Sequence, residues 1–241
     1  MKTIRPFFIL FTLFILAGTG LMGTCVDMQG IKGDGDLVKE ERDVSGFLSL
    51  EVSGAFQVFL FQGKSESLIV EADKNLMEAI KTEVKGDKLM IYTDKNIKRY
   101  TKMNVYLTFE NLEMMDLSGA VEMSSDEMLH FDELSLDGSG ASELNLNMDV
   151  VSLNADFSGA SEINLKGQAK SAVFDVSGAS EIDAYDFEIK HCELDVSGAA
   201  EAKLYVSEYL KVDVSGAASV RYKGSPKLTS DISGAGSLKK H

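Results

Sequence analysis

Hydrophobic and polar positions alternate with a period of two in short runs along most of the chain, as in Leu153/Ala155/Phe157, Cys192/Leu194/Val196 and Leu210/Val212/Val214. Such alternation puts one face of a strand in a core and the other in water. Each run leads into the same tripeptide, Ser-Gly-Ala, which begins at Ser53, Ser118, Ser139, Ser158, Ser177, Ser197, Ser215 and Ser233; the last seven are separated by 21, 19, 19, 20, 18 and 18 residues. After the tripeptide the alternation resumes, as Leu144/Leu146, Ile163/Leu165, Ile182/Ala184 and Ala202/Leu204. Each repeat therefore reads as two short strands meeting at a Ser-Gly-Ala corner, with a second, more variable turn closing a coil. Gly permits the sharp bend, and the Ala after it is expected to point inward where the wall curves. One such coil cannot cover its own apolar face, so successive coils must stack, each strand parallel to its equivalent about 4.8 Å away.

The predicted fold class is all-β, a right-handed parallel β-helix (solenoid) of roughly 18–21-residue coils with an irregular N-terminal cap section. Its core is expected to contain Leu153, Phe157, Ile163, Phe174, Val176, Ile182, Leu194, Val196, Leu204, Val212 and Val214 stacked in columns. The stretch from residue 36 to 117 is less regular. Leu48, Leu50 and Val52 before Ser53, with Val58 and Leu60 after it, repeat the coil pattern. Leu68 to Glu71 then reads as a strand, Asp73 to Ile80 as a short helical turn capped by Asp73, Thr82 to Tyr92 as a hairpin around Gly86-Asp87, and Met103 to Phe109 as a strand. Such a section would cover a solenoid end, where unpaired backbone groups invite aggregation.

The amino terminus follows different rules. Lys2 and Arg5 precede an apolar run from Phe7 to Ala17 and a small-residue stretch ending in Met22-Gly23-Thr24-Cys25, the layout of a secretory signal. Residues 1–24 are thus expected to direct export, 25–35 to form a tether, and 36–241 to form a single domain. Met22 to Cys25 resembles a bacterial lipoprotein box, although Thr24 departs from the usual small residue before the Cys. Lipidation of Cys25 and ordinary cleavage between Thr19 and Cys25 both remain open, so the product is an outer-membrane lipoprotein, periplasmic or at the cell surface.

Charge narrows the partners. The net charge is −14, and removing Lys2 and Arg5 with the leader takes it to −16. Such a surface repels phosphates, which excludes nucleic acid and leaves a lipid anchor as the only membrane contact. With 2 Cys in 241 residues, one of them at the processing site, no disulfide framework is available.

Gly33-Asp34-Gly35-Asp36-Leu37-Val38-Lys39-Glu40-Glu41-Arg42, the strand pair Phe47 to Gly63, the serial Ser-Gly-Ala coils and the ending Ser219 to Pro226 followed by Ser233-Gly234-Ala235-Gly236 resemble the putative auto-transporter adhesin family with a head GIN domain, exported proteins of Gram-negative bacteria. The resemblance spans essentially the whole mature chain. It implies a β-helical fold and a role at the cell envelope, and it carries over no catalytic residue.

The most regular chemistry is acidic. Two places before the Ser lie Glu51, Asp116, Asp137, Asp156, Asp175, Asp195, Asp213 and Asp231; four places after it lie Glu122, Glu143, Glu162, Glu181 and Glu201, giving way to Ser219 and Ser237. Stacked carboxylates repel, and Asp137, Asp156, Asp175, Asp195, Asp213 and Asp231 either line up for a divalent cation such as Ca²⁺ or form a solvated face that blocks lateral association. No other cofactor is expected. Parallel β-helices also include enzymes that process polysaccharides, but here carboxylates recur with the coil instead of interrupting it. His130, His191 and His241 lack metal-ligand spacing, Cys192 takes an inward position as an apolar filler, and no nucleophile elbow surrounds the serines. Tyr205, Tyr209 and Tyr222 are the candidates for a sugar-stacking cluster on the later coils. The expected function is non-enzymatic adhesion or envelope interaction with a surface glycan or protein, the alternative a polysaccharide-binding or polysaccharide-cleaving β-helix.

Overall fold

A computed structural model describes residues 30–241, so the leader and Cys25 lie outside the described residues. The fold is nearly all β, with 69% of the described residues in strands and about 7 stacked parallel turns. No helix among the described residues is long and apolar enough to cross a membrane.

The regular body begins at β10 (Met114–Gly119) and β11 (Glu122–Ser124), the two arms of one coil. It continues through the long strands β12 (Leu129–Gly140), β13 (Glu143–Gly159), β14 (Glu162–Val176), β15 (Glu181–Val196) and β16 (Glu201–Val214), each running from one corner to the next, and ends in β17 (Ser219–Lys223), β18 (Lys227–Ile232) and β19 (Ser237–Lys240). Successive coils pair in parallel and in the predicted register, with Phe157 opposite Val176, Phe174 opposite Leu194 and Leu194 opposite Val212. All eleven expected core side chains are buried. Size complementarity between successive coils within a column fills the interior: Phe157 lies over Gly138, where a Cβ would collide with the phenyl ring, and Phe174 lies over Ala155. Cys192 continues the inward column of Ala172 and Leu210, and burial pushes its thiol pKa up to about 12, as expected of a filler.

The corner differs from expectation in one respect. The Ala of Ser-Gly-Ala faces outward, and the residue after it turns inward, giving the buried column Val121, Ser142, Ser161, Ser180, Ala200 and Ala218. Positive φ at the preceding Gly reverses which face the next residue takes, so the inward position falls one residue later. The ladder is unbroken at the bend: the amides of Ala141, Ala160, Ala179, Ala199, Ala217 and Ala235 each donate to the Gly carbonyl of the preceding coil at 2.8–2.9 Å.

The first part of the chain folds back under its own first coil. β3 (Ser49–Gly54) and β4 (Gln57–Gln62) form that coil, and β10 and β11 stack on it from above. The chain then runs through β5 (Ser67–Asp73), a single 3-10 turn at Lys74–Leu76, the hairpin β6 (Ile80–Lys85) and β7 (Lys88–Thr93), then β8 (Ile97–Arg99) and β9 (Met103–Phe109). β7 pairs in parallel beneath β3 and β9 beneath β4, so the coil of residues 49–62 is enclosed by later sequence on both sides. Beyond β9 the wall is closed antiparallel by β5 and then by β2 (Leu37–Arg42). The outermost strands, β2 and β6, carry Lys39, Glu40, Glu41, Lys81, Glu83 and Lys85, the charged edge that discourages strand addition.

Asp73 does not cap the 3-10 turn. Its carboxylate is 0% exposed and accepts hydrogen bonds from the Gly35 amide at 2.7 Å and from the Thr101 amide and hydroxyl at 2.6 and 2.9 Å. The segment read as a tether is consequently docked from Ile31 onward, with β1 (Ile31–Lys32) pairing with β8 and Asn75 bonding to Lys32 and Asp34. Burial alone would raise the Asp73 pKa, but the Thr101 and Gly35 bonds outweigh it and hold it below the usual Asp value. This carboxylate therefore stabilises the fold above the ordinary Asp range, and its contribution disappears as pH falls through the depressed folded value. Asp73→Asn is expected to cost about 1–3 kcal/mol near neutral pH, with the deficit vanishing in acid. Denaturant unfolding across the acid range reads both, and an equal deficit at pH 3 and pH 7 would contradict it.

Candidate functional site

The corners stack into a shallow groove of about 770 Å³ running along the solenoid axis. Its floor is the outward Ala column from Ala120 to Ala217, and its wall is the Glu column, Glu122, Glu143, Glu162, Glu181 and Glu201, in register coil upon coil. The inward serines at the same corner, Ser142 and Ser161, have buried hydroxyl oxygens with no hydrogen-bond partner.

Each wall carboxylate has a polar neighbour two residues further along its strand. Asn145 Nδ2 donates to Glu143 at 3.0 Å, and Asn164 Nδ2 to Glu162 at 3.3 Å and to Asn145 Oδ1 at 3.0 Å. In later coils the same column becomes cationic: Lys203 lies 2.8 Å from Glu181 and 3.9 Å from Glu201, and Arg221 pairs with Glu201. The column Asn145, Asn164, Asp183, Lys203, Arg221 sits six places after each Ser, but its residue types vary, so periodicity alone does not mark it. It leaves Glu143 and Glu162 held by amides and Glu181 and Glu201 balanced by cations.

The Asp column behaves differently. Asp137, Asp156, Asp175, Asp195, Asp213 and Asp231 do stack in one line, continued by Asp116 and Glu51. Lysines meet it near its ends, Lys88 at 3.0 Å from Glu51 and Lys211 at 3.9 Å from Asp213. In between, burial above all, and then the charges of Asp116 and Asp156, push the Asp137 pKa up. Among the described residues no three His, Cys, Asp or Glu side chains gather to hold a metal ion. Like charges stacked in one line predict that thermal unfolding responds to ionic strength, with Asp137→Asn stabilising at low salt and the gain shrinking as salt rises. Calcium against matched sodium chloride checks this, and a calcium excess that Asp137→Asn abolishes would instead assign the column an ion.

The remaining candidates separate. His191 meets Glu208 at 3.4 Å, and His241 packs against Tyr185. His130 lines a second concavity, about 770 Å³, at the opposite turn with Asp132, Glu133 and Asp149, where the Gln62 side chain clips the His130 backbone. The expected cluster of Tyr205, Tyr209 and Tyr222 is not brought together: Lys223 Nζ lies 4.8 Å from the Tyr205 ring centroid and 5.6 Å from that of Tyr185, whereas Tyr209 stands on the other arm of the coil, beside His191 and Lys227, and Tyr222 packs on the core.

The chain is similar in fold to several solved structures. A putative adhesin from Bacteroides fragilis has a TM-score of 0.84 at 22% identity, covering 88% of this chain and 100% of that one. A protein described as a putative lipid binding protein from Parabacteroides distasonis has 0.71 at 22%, and a putative adhesin from the same species 0.68 at 24%, each covering 88% of this chain and 100% of its own. The chain has no match among curated proteins. The sequence profile of one family matches residues 46–226, from the strand entering the first Ser-Gly-Ala corner to the turn before the last coil, and by that match the chain belongs to the family of the putative auto-transporter adhesin, head GIN domain.

Proposed function

We propose that this chain is the non-catalytic adhesive head of an exported envelope protein and that it holds an extended surface glycan along the corner groove. The observation that carries this reading is the repetition of an Ala floor beside an in-register Glu column across consecutive coils, with the Asn145 and Asn164 amides adding donors on two of them. A repeated surface suits a repeated ligand, because each coil offers the same weak contact and the contacts add along the polymer. Carboxylates and amides favour hydroxyl and amino groups, while the net charge of −14 disfavours sulfated or phosphorylated polymers. Family membership and the adhesin-like fold neighbours support the adhesive role. A polysaccharide-cleaving enzyme would need one acid and one base set apart across a groove, and the Glu side chains here recur with every coil along one wall instead.

Binding and turnover on a panel of neutral, amino-bearing and acidic glycans test this together. Binding without chain cleavage is expected, weakened about tenfold or more by combining Glu143→Gln with Glu162→Gln. Cleavage of any panel member would sink the non-catalytic reading, and binding untouched by the double variant would move the ligand off the groove. Localising the native chain beside a Cys25→Ser variant separates a lipid-anchored head from a soluble exported one.

A further inference from the structure

We infer that the chain associates with a second copy of itself end to end through its last coil, β18 of one copy pairing antiparallel with β18 of the other about Thr229. β18 pairs with β16 on one side, and among the described residues no strand pairs with its other edge. All six of its residues are exposed, including Leu228 at 40% and Ile232 at 42%. These two continue the inward columns of Leu210 and Val214, and Leu238 on β19 continues that of Val220, so no described residue covers the core beyond them. An open edge with apolar residues along it is a template for another strand.

The order of residues on β18 specifies the occupant. Lys227 and Asp231 lie on the outer face, two places either side of Thr229. Antiparallel pairing centred on Thr229 sets Lys227 of each copy opposite Asp231 of the other, Thr229 opposite Thr229, and Leu228 opposite Ser230 on the inward face. A strand complementary to itself under a two-fold is what a closed isologous contact requires. The same two-fold carries β19 to its counterpart in the other wall. Head-to-tail stacking fits less well, because the N-terminal end is stepped. There β9, β5 and β2 extend one wall three strands beyond β4, whereas only β7 and β6 extend the other beyond β3.

The test is cross-linking of the full chain in a Cys25→Ser background, where the remaining Cys192 is buried. Under mild oxidation Thr229→Cys is expected to give a covalent homodimer as the main species, since directly opposed residues of an antiparallel pair come close enough for a disulfide. Lys211→Cys, in register with Thr229 but one coil inside, should stay monomeric. In the Thr229→Cys chain, Lys227→Asp or Asp231→Lys alone should lower dimer yield about fivefold or more, and the two together should restore it. The proposal fails if Thr229→Cys stays monomeric, if Lys211→Cys cross-links equally, if Thr229→Cys links to a different protein, or if the double charge exchange does no better than either single one.

Discussion

Gly198→Ala is expected to destabilise the solenoid by about 2–5 kcal/mol, from two costs that act together. Its φ of +92° is a conformation that L side chains rarely adopt, and a Cβ there would sit 2.5 Å from the Gly178 carbonyl oxygen of the coil below. That oxygen accepts the Ala199 amide at 2.9 Å, so moving it aside would weaken the ladder at the corner. Gly86→Ala separates the two costs. Gly86 has φ of +67° in the β6–β7 turn with no neighbour within 4 Å of its Cβ position, so only the backbone term remains, about 1 kcal/mol. Urea unfolding of both variants provides the comparison, and a Gly198→Ala loss no larger than that of Gly86→Ala would remove the stacked-glycine explanation of the repeated tripeptide.

Phe174→Ala is expected to cost about 3–5 kcal/mol, because the ring is fully buried and its removal leaves a cavity that neighbouring coils cannot close. The coils are fixed at the strand spacing by their hydrogen bonds, so relaxation along the axis is blocked. The small partner beneath supplies a stricter test. Ala155 stands in register with Phe174, so Ala155→Leu alone should overpack and cost about 1–3 kcal/mol, yet in the Phe174→Ala chain it should fill the space and recover part of the loss. Additive losses in the double variant would mean that the two adjacent coils do not share volume at this column.

What the sequence revealed and what it hid follow from one distinction. Wherever a residue is repeated because the coil needs it, its place could be read directly: the inward columns, the stacked Asp line, the Cys192 filler and the parallel register all follow from an 18–21-residue period. Alternation places the corner Ala on the wrong face, because it does not hold through a glycine with positive φ. The role of Asp73 was hidden for another reason. Its partners, Gly35 and Thr101, lie 38 and 28 residues away, and no local pattern links them. The Asn145 to Arg221 column escaped notice because its chemistry changes from amide to cation while its position stays fixed. At the groove, accordingly, the carboxylate wall was legible and its partners were not.

The placement of residues 49–62 between later strands has a consequence for the order in which the molecule can form. A growing chain completes the coils after β10 one at a time, each landing on a finished surface. The opposite end cannot be built that way, since β3 and β4 have no partner until residues 88–109 have been made and have turned back beneath them. The amino-terminal third must therefore assemble as one block. Truncation from the carboxyl end would shorten the molecule coil by coil, whereas loss of any segment between β2 and β9 would leave the whole stack without a base.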